Sequence, residues 1–481
     1  MRTLLFFDDW VIDRRRGLER IFPKAEPHPD APAMQFDDFI ASYSECSIHY
    51  DRTEKQWMLW SSVCLNHKTL DASHALALHT SRDGLHWEPA HQPMLADRRA
   101  TAACANVVFS GDDSCSGNVL YDAADADPDR RFKLVYSDQG KTHTKPQTCK
   151  VACSPDGIHW RIDREAVWCN WHNDANHTPS YNPFTKMYQF CGRSVSADRR
   201  IALFQTPDFK KFERPLVILH PDSAESECVE YYGMPQFYHN GYYIGFLWKH
   251  YTAIDSEANF RMKGRVVSEL IYSTNGISWN RTNRESIFPA PGIEDNFVAS
   301  RYAWGLVEDD EGYLRVYGTQ TIGEHGEGRR FVEGEHSSGL TISRWRKDGF
   351  CMLQTRADEA ELVLRPLFYR GDDIMLNAQM ASFGFITCEL RDAMTDRPLK
   401  GFGFEDSVPL TGDGTRMPLR WRDANPNTLG TIAVKPAFRL RQARIYSLSA
   451  NADYLIGNCV HTDLAGTWDP EYYHLDHYHY E

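Results

Sequence analysis

A seven-residue phrase recurs along this chain and limits what the chain can fold into: SRDGLHW from Ser81 to Trp87, SPDGIHW from Ser154 to Trp160, and STNGISW from Ser273 to Trp279. A degenerate copy, TPDFKKF, runs from Thr206 to Phe212, and a weaker echo, SRWRKDGF, from Ser343 to Phe350. The starts lie roughly 50 to 75 residues apart, the length of a four-stranded sheet with its loops. In each copy Ser or Thr, and the Asp or Asn two residues on, can accept bonds from nearby backbone N–H groups. Gly supplies a positive φ and Trp folds back onto the sheet. The phrase reads as a tight connection between two strands, repeated once per sheet, with an architectural role and no chemistry of its own.

A second regularity stands upstream of each copy. The segments SIHYDRTEKQWMLWSS, NVLYDAADADPDRRFKLVYS, PSYNPFTKMYQFCGR, PQFYHNGYYIGFLW and WGLVEDDEGYLRVYG each read as strand, polar turn and aromatic-rich strand. Such pairs suit the inner hairpins of sheets packed face to face around an axis. With 13% aromatic residues and no long helical periodicity, the expectation is an all-β chain with a five-bladed β-propeller over residues 35–350. After RKDGF the turns lose the phrase, and GDDIMLNAQ, GFITCELRD and ARIYSLSA alternate as a two-sheet β-sandwich does, over 351–455. Residues 1–34, ending in PKAEPHPDAPA, read as an extended strap, and 456–481 as a tail rich in His, Tyr and Asp.

The net charge of −13 argues against nucleic acid or an anionic membrane surface as partner. MRTLLFFDDW lacks the apolar region of a secretory signal, no run reaches a membrane span, and the twelve cysteines are scattered without a CxxC pair. These features predict a cytoplasmic protein with buried free thiols, no metal site and no cofactor. The tail suits a docked strap or a contact within a homo-oligomer.

Three stretches carry a resemblance to a known family: GLTISRWRKDGFCML at 339–353, DDIMLNAQMASFGFITCELRDAMTDRPLKGFGFEDSVPLTGD at 372–413 and FRLRQARIYSLSA at 438–450. Together with the propeller-then-sandwich layout they resemble glycoside hydrolase family 32. That resemblance implies carbohydrate as the substrate and carboxylates in a central funnel as the catalysts. The WMNDPNG-like motif of invertase-type members is absent here. Their RDP motif survives as Asp174 in NDANH, which keeps the family offset from the third hairpin turn at Asn182, and their EC motif as Glu227-Cys228.

Glycoside hydrolysis needs one carboxylic acid to protonate the leaving oxygen and one carboxylate to attack or to activate water. Acids just before each inner hairpin are therefore the candidates: Asp37, Asp38 and Glu45 in the first blade, Asp112 and Asp113 in the second, Asp174 in the third, Glu225, Glu227 and Glu230 in the fourth, Glu294 and Asp295 in the fifth. Counting back from the fourth turn favours Glu230 as general acid, whereas the EC match favours Glu227, and both are kept. Asp174 is expected to stabilise the transition state, and Glu45 or Asp38 to act as nucleophile or base. Tyr231, Tyr232 and Trp248 could wall the acid, and His177, Arg193, Arg301 and His325 could hold hydroxyls, with a uronate as ligand if an arginine faces the funnel. The expected function is an exo-acting glycosidase on a small oligosaccharide or fructoside-type substrate. The alternatives are a non-catalytic carbohydrate-binding propeller and a lyase or sialidase-like enzyme on acidic sugars.

Overall fold

A computed structural model of the chain describes residues 2–32, 46–64, 74–90, 106–112, 115–138, 148–171, 173, 177–182, 186–194, 199–225, 228–252, 264–289, 298–322 and 338–454. Among these residues the regular secondary structure is almost wholly strand, with two short 3-10 helices and no α-helix, and no helix is long and apolar enough to cross a membrane. Five separate sheets of four or five strands follow one another along the chain, and they are the blades of a propeller. The five inner hairpins expected from the sequence form, from Cys46–Asp51 with Gln56–Cys64 in blade one to Val298–Glu308 with Tyr313–Ile322 in blade five. In blade four the inner position is shared by Val229–Gly233 and Gln236–His239, which both pair with Tyr242–Thr252.

The repeated phrase makes the same turn each time. Ser81, Ser154 and Ser273 accept through Oγ from the N–H of Gly84, Gly157 and Gly276 at 2.8–2.9 Å. The Asp or Asn two residues on accepts from the next two amides, as Asp156 does from Ile158 and His159 at 2.9 and 2.8 Å. Partial burial alone would raise the Asp156 carboxyl, but these amides and the His159 ring bring it down to about 2. In the degenerate copy Phe209 occupies the glycine position at φ 55°. Here the Thr206 Oγ1 still accepts from its N–H at 3.0 Å.

At two copies the glycine also ties neighbouring blades together. Trp60 of blade one donates its Nε1–H to the Gly157 carbonyl of blade two at 2.8 Å, and Tyr317 of blade five donates its hydroxyl to the Gly84 carbonyl of blade one at 3.0 Å. Each of these turns is thus docked on the preceding blade. A Cβ on Gly157 would lie 2.5 Å from the Trp60 ring, at a φ of +75°. Gly157→Ala is therefore expected to cost at least about 1–2 kcal/mol from the left-handed backbone alone, with displacement of Trp60 adding to it. An unchanged urea midpoint would show that this contact does not hold the blades together.

The N-terminal residues do more than strap the surface. Glu26–Pro27 pairs with Ser338–Arg346 as the outer strand of blade five. Arg2–Leu5, Ile12–Arg16 and Leu18–Ile21 join the strands from Met352–Thr355 to Ala452–Tyr454 in one ten-stranded sheet. Its spine is the antiparallel pair Met375–Asp392 and Ile432–Ala450, and the short strands line the far edge of the second. The expected pair of stacked sheets is thus, by hydrogen bonding, one continuous sheet. It shares a core with the propeller, in which Phe7 and Leu440 belong to the same apolar cluster as Tyr242, Phe246 and Trp345 of blades four and five. The nine cysteines with described side chains are all free, eight of them buried. The tail, 456–481, lies outside the described residues.

Candidate functional site

In all five blades the second strand ends and the third begins at one end of the propeller, at the partner pairs Cys64↔His74, Asp138↔Thr148, Arg193↔Ile201, Thr252↔Gly264 and Thr321↔Ser338. The inner strands start at this same end, the mouth. Buried polar side chains gather here, among them Ser47, Asn118, Arg193, His250 and Ser300. The rest of each strand pair is walled by Trp, Tyr, Leu and Val.

The charged part of this end lies between blades three and four. Glu230, which pairs across from His250, accepts through Oε2 from the Arg199 guanidinium at 2.6 Å. The same Arg199 nitrogen donates to His250 Nδ1 at 3.0 Å. A guanidinium has only donors, so Nδ1 is an acceptor and the ring proton sits on Nε2. Tyr232 lies beneath: the guanidinium carbons of Arg193 and Arg199 stand 5.4 and 5.1 Å from its ring centre, and the His250 ring meets it edge-on at 5.9 Å. Both arginines are thereby held against the one aromatic ring.

A polar staple locks the neighbouring strands. Asn173 Oδ1 accepts from the Arg193 amide at 2.9 Å and from His177 Nε2 at 3.0 Å, and its Nδ2 donates to the Arg193 carbonyl. A Cβ on Gly192 would come within 2.8 Å of Asn173 Oδ1, so the glycine of FCGRS is what lets this amide approach. Asn118 accepts from the His177 amide at 2.9 Å and donates to the Cys46 carbonyl and Ser47 Oγ, joining blades one, two and three at the mouth.

Of the residues nominated from sequence, Asp112, His177, Arg193, Glu225, Glu230, Tyr231, Tyr232, Trp248 and Arg301 are described, and Arg193, Glu230 and Tyr232 come together. Trp248 does not wall a funnel: it is fully buried between blades four and five, with Nε1 bonded to the Ala303 carbonyl at 2.8 Å and its ring against Tyr302. His177 is likewise fully buried, against Trp168 and Phe190, so it orders the strand rather than offering itself to a ligand. Arg301 donates to the Pro289 carbonyl at 3.2 Å and lies over Phe288, as a structural partner does. Tyr231 points away from Tyr232 into a buried ionic network with Arg281 and Glu225.

Glu225 is itself part of that network. Burial would raise its carboxyl, but Arg281 and Lys249 outweigh this and hold it below the ordinary value. Asp112 is bound by Arg164 and Lys150, which lower its carboxyl. Glu227, Asp174, Glu45, Asp38, Asp113, Asp295 and His325, with Asp37 and Glu294, lie outside the described residues. Sequence reasoning missed Arg199, His250, Asn118 and Asn173. The only signal for His250 was a polar pair, Lys249-His250, near the end of an otherwise apolar strand, YYIGFLWKHYT.

Fold and mouth together define an all-β, five-bladed propeller with a cluster of ionic and hydrogen-bonding groups where blades three and four meet. No family model matches the chain, and no curated protein matches it in sequence. Solved structures with a similar arrangement include a member of the GH130 family of mannoside phosphorylases, which contains glycoside hydrolases that target beta-1,2 mannosidic linkages in Candida mannan. It is 10% identical, with a TM-score of 0.44 over 68% of this chain and 94% of that one. An N-acetylgalactosamine deacetylase from F. plautii, in complex with blood group B trisaccharide, is 14% identical with a TM-score of 0.42, over 67% of this chain and 94% of that one. An exo-beta-1,3-galactanase from Phanerochaete chrysosporium is 9% identical with a TM-score of 0.40, over 85% of this chain and 99% of that one. The resemblance to family 32 rests on the stretches quoted for it above.

Proposed function

We propose that the protein is a glycoside hydrolase, exo-acting on a small oligosaccharide or fructoside-type substrate held at the mouth between blades three and four. The observation that carries this reading is the arrangement around Tyr232, where one carboxylate, two guanidinium groups and an imidazole converge from neighbouring blades. Such a set can donate to and accept from several hydroxyls at once, which suits a sugar ring. The carboxylate oxygen of Glu230 that meets Arg199 is engaged as an acceptor. That role fits the gripping of a hydroxyl better than the delivery of a proton. Proton donation is therefore assigned to Glu227, transition-state stabilisation to Asp174, and the part of nucleophile or base to Glu45 or Asp38. Asp113, Asp295 and His325 precede or follow strands that open at the same end.

One observation favours a second reading. The one nominated acid in the described cluster is already paired with an arginine, as a purely binding propeller would have it. A panel of aryl furanosides, aryl pyranosides and natural oligosaccharides separates the two. Release of a reducing sugar from one of them supports hydrolysis. Absence of turnover across the panel, with binding still seen by calorimetry, establishes the binding module. New ultraviolet absorbance from an unsaturated product marks a lyase.

A further inference from the structure

At the opposite end of the propeller, where the inner hairpins turn, lies a cavity of about 490 Å³. Its walls include Tyr121 and Asp122 from blade two, Tyr181 from blade three, Tyr238 and His239 from blade four, and Glu308 from blade five. Side chains from four blades meet only near the axis, so this is the axial pocket of the end away from the Arg199–Glu230 cluster. We propose that it is a second, non-catalytic binding site, and that its ligand is a neutral sugar or a polyol of similar size.

Size and shape come first. The volume falls within the roughly 300–1,000 Å³ typical of small-molecule sites. Tyr121, Tyr181 and Tyr238 are each half-buried. Each ring is backed by another: Tyr121 by His49 at 4.2 Å, Tyr181 by Tyr188 at 4.7 Å, Tyr238 by Tyr243 at 5.4 Å. They form rigid aromatic platforms that lose little freedom when a ligand's C–H face settles on them.

Charge then selects the ligand class. Asp122 Oδ2 accepts from the Tyr188 hydroxyl at 2.5 Å and stands 3.6 Å from the fully buried Lys133 ammonium. Glu308 Oε1 is held by Lys347 at 2.5 Å, and His239 Nε2 faces Asp348 at 2.8 Å. Among the described residues, both carboxylates on this wall have an ammonium partner within the protein, and His239 has a hydrogen-bond partner in Asp348. A metal cation or a phosphate would have to displace those partners, whereas hydroxyls can bond to them as they stand.

The site stands independently of the reaction at the mouth, and the test keeps the two apart. D-Glucose, D-galactose, D-mannose and lactose are titrated by calorimetry into the full chain, into Ala124→Trp and into Glu227→Gln. Ala124 lines the cavity from an exposed turn, so the indole fills space without removing core. Ala123→Trp, on the same turn, serves if the first variant melts early. The expected result is a sugar whose affinity falls at least about tenfold in the tryptophan variant and is unchanged in Glu227→Gln, while any turnover survives in Ala124→Trp. Binding unaffected by either tryptophan variant, or no binding of the four sugars at millimolar concentration, overturns the proposal. So does calcium binding in place of sugar that the tryptophan abolishes.

Discussion

Glu227→Gln is expected to lower kcat by roughly 10²–10⁴-fold on substrates whose leaving group is a sugar alkoxide, the range that general acid catalysis contributes. The loss should shrink on aryl glycosides, because a stable phenoxide leaves without a proton. Glu230→Gln is expected to behave differently. Glu230 stands at the mouth end of blade four, at the start of its inner strand opposite His250, and its Oε2 is already taken by Arg199 at 2.6 Å. Replacing it with an amide removes a grip on a hydroxyl and loosens Arg199 over Tyr232, so KM should rise with a smaller change in kcat. The leaving-group dependence separates the two residues: if the collapse on poor leaving groups appears in Glu230→Gln and not in Glu227→Gln, the acid is Glu230 and the role given to its arginine pairing is wrong.

The difference between what could and could not be read from the sequence follows the range of the forces involved. The turn phrase is local: Ser, Asp and Gly make their bonds within a few residues, so each copy announces itself, and the inner hairpins announce themselves through alternation. Trp248 and Tyr232 look alike at that level, both aromatic and both near the mouth. Only the packing of blade four on blade five shows that one is sealed against Tyr302 while the other underlies two guanidinium groups. Arg199 reaches Glu230 across the gap between blades, a contact with no sequence signature. The N-terminal residues were opaque for the same reason. Glu26–Pro27 is two residues long and acquires its identity only from Ser343 and Arg344, more than half the chain away.

The largest stability effect is expected at Glu269, a fully buried carboxylate in blade four. Its oxygens accept from Arg281, through Nε at 2.7 Å and through a second guanidinium nitrogen, and from the Lys249 ammonium at 3.0 Å. Glu225 completes the group, accepting from Arg281 at 2.6 Å, with the Lys249 ammonium 3.8 Å away. Arg284 also donates to Glu225 at 3.1 Å while pairing with the exposed Asp222, so the buried part of the set is two cations and two carboxylates, largely out of water. Burial alone would lower the Arg281 guanidinium, but Glu269 and Glu225 more than compensate and raise it. Glu269→Leu leaves Lys249 and Arg281 sharing one carboxylate, and stranding a buried charge in this way costs roughly 3–5 kcal/mol. Lys249→Met added to it removes the stranded ammonium and leaves Arg281 paired with Glu225, so the double variant is expected to unfold at higher urea than Glu269→Leu alone. A double variant as weak as the two single losses added together would mean that the four groups act independently. The acid limb offers a second check. Because the Glu225 carboxyl is held below its ordinary 4.5 in the folded protein, the stability it brings is present above that pH and is lost as the pH falls beneath it. Arg281→Met, which removes the principal partner that lowers it, should flatten that part of the stability curve.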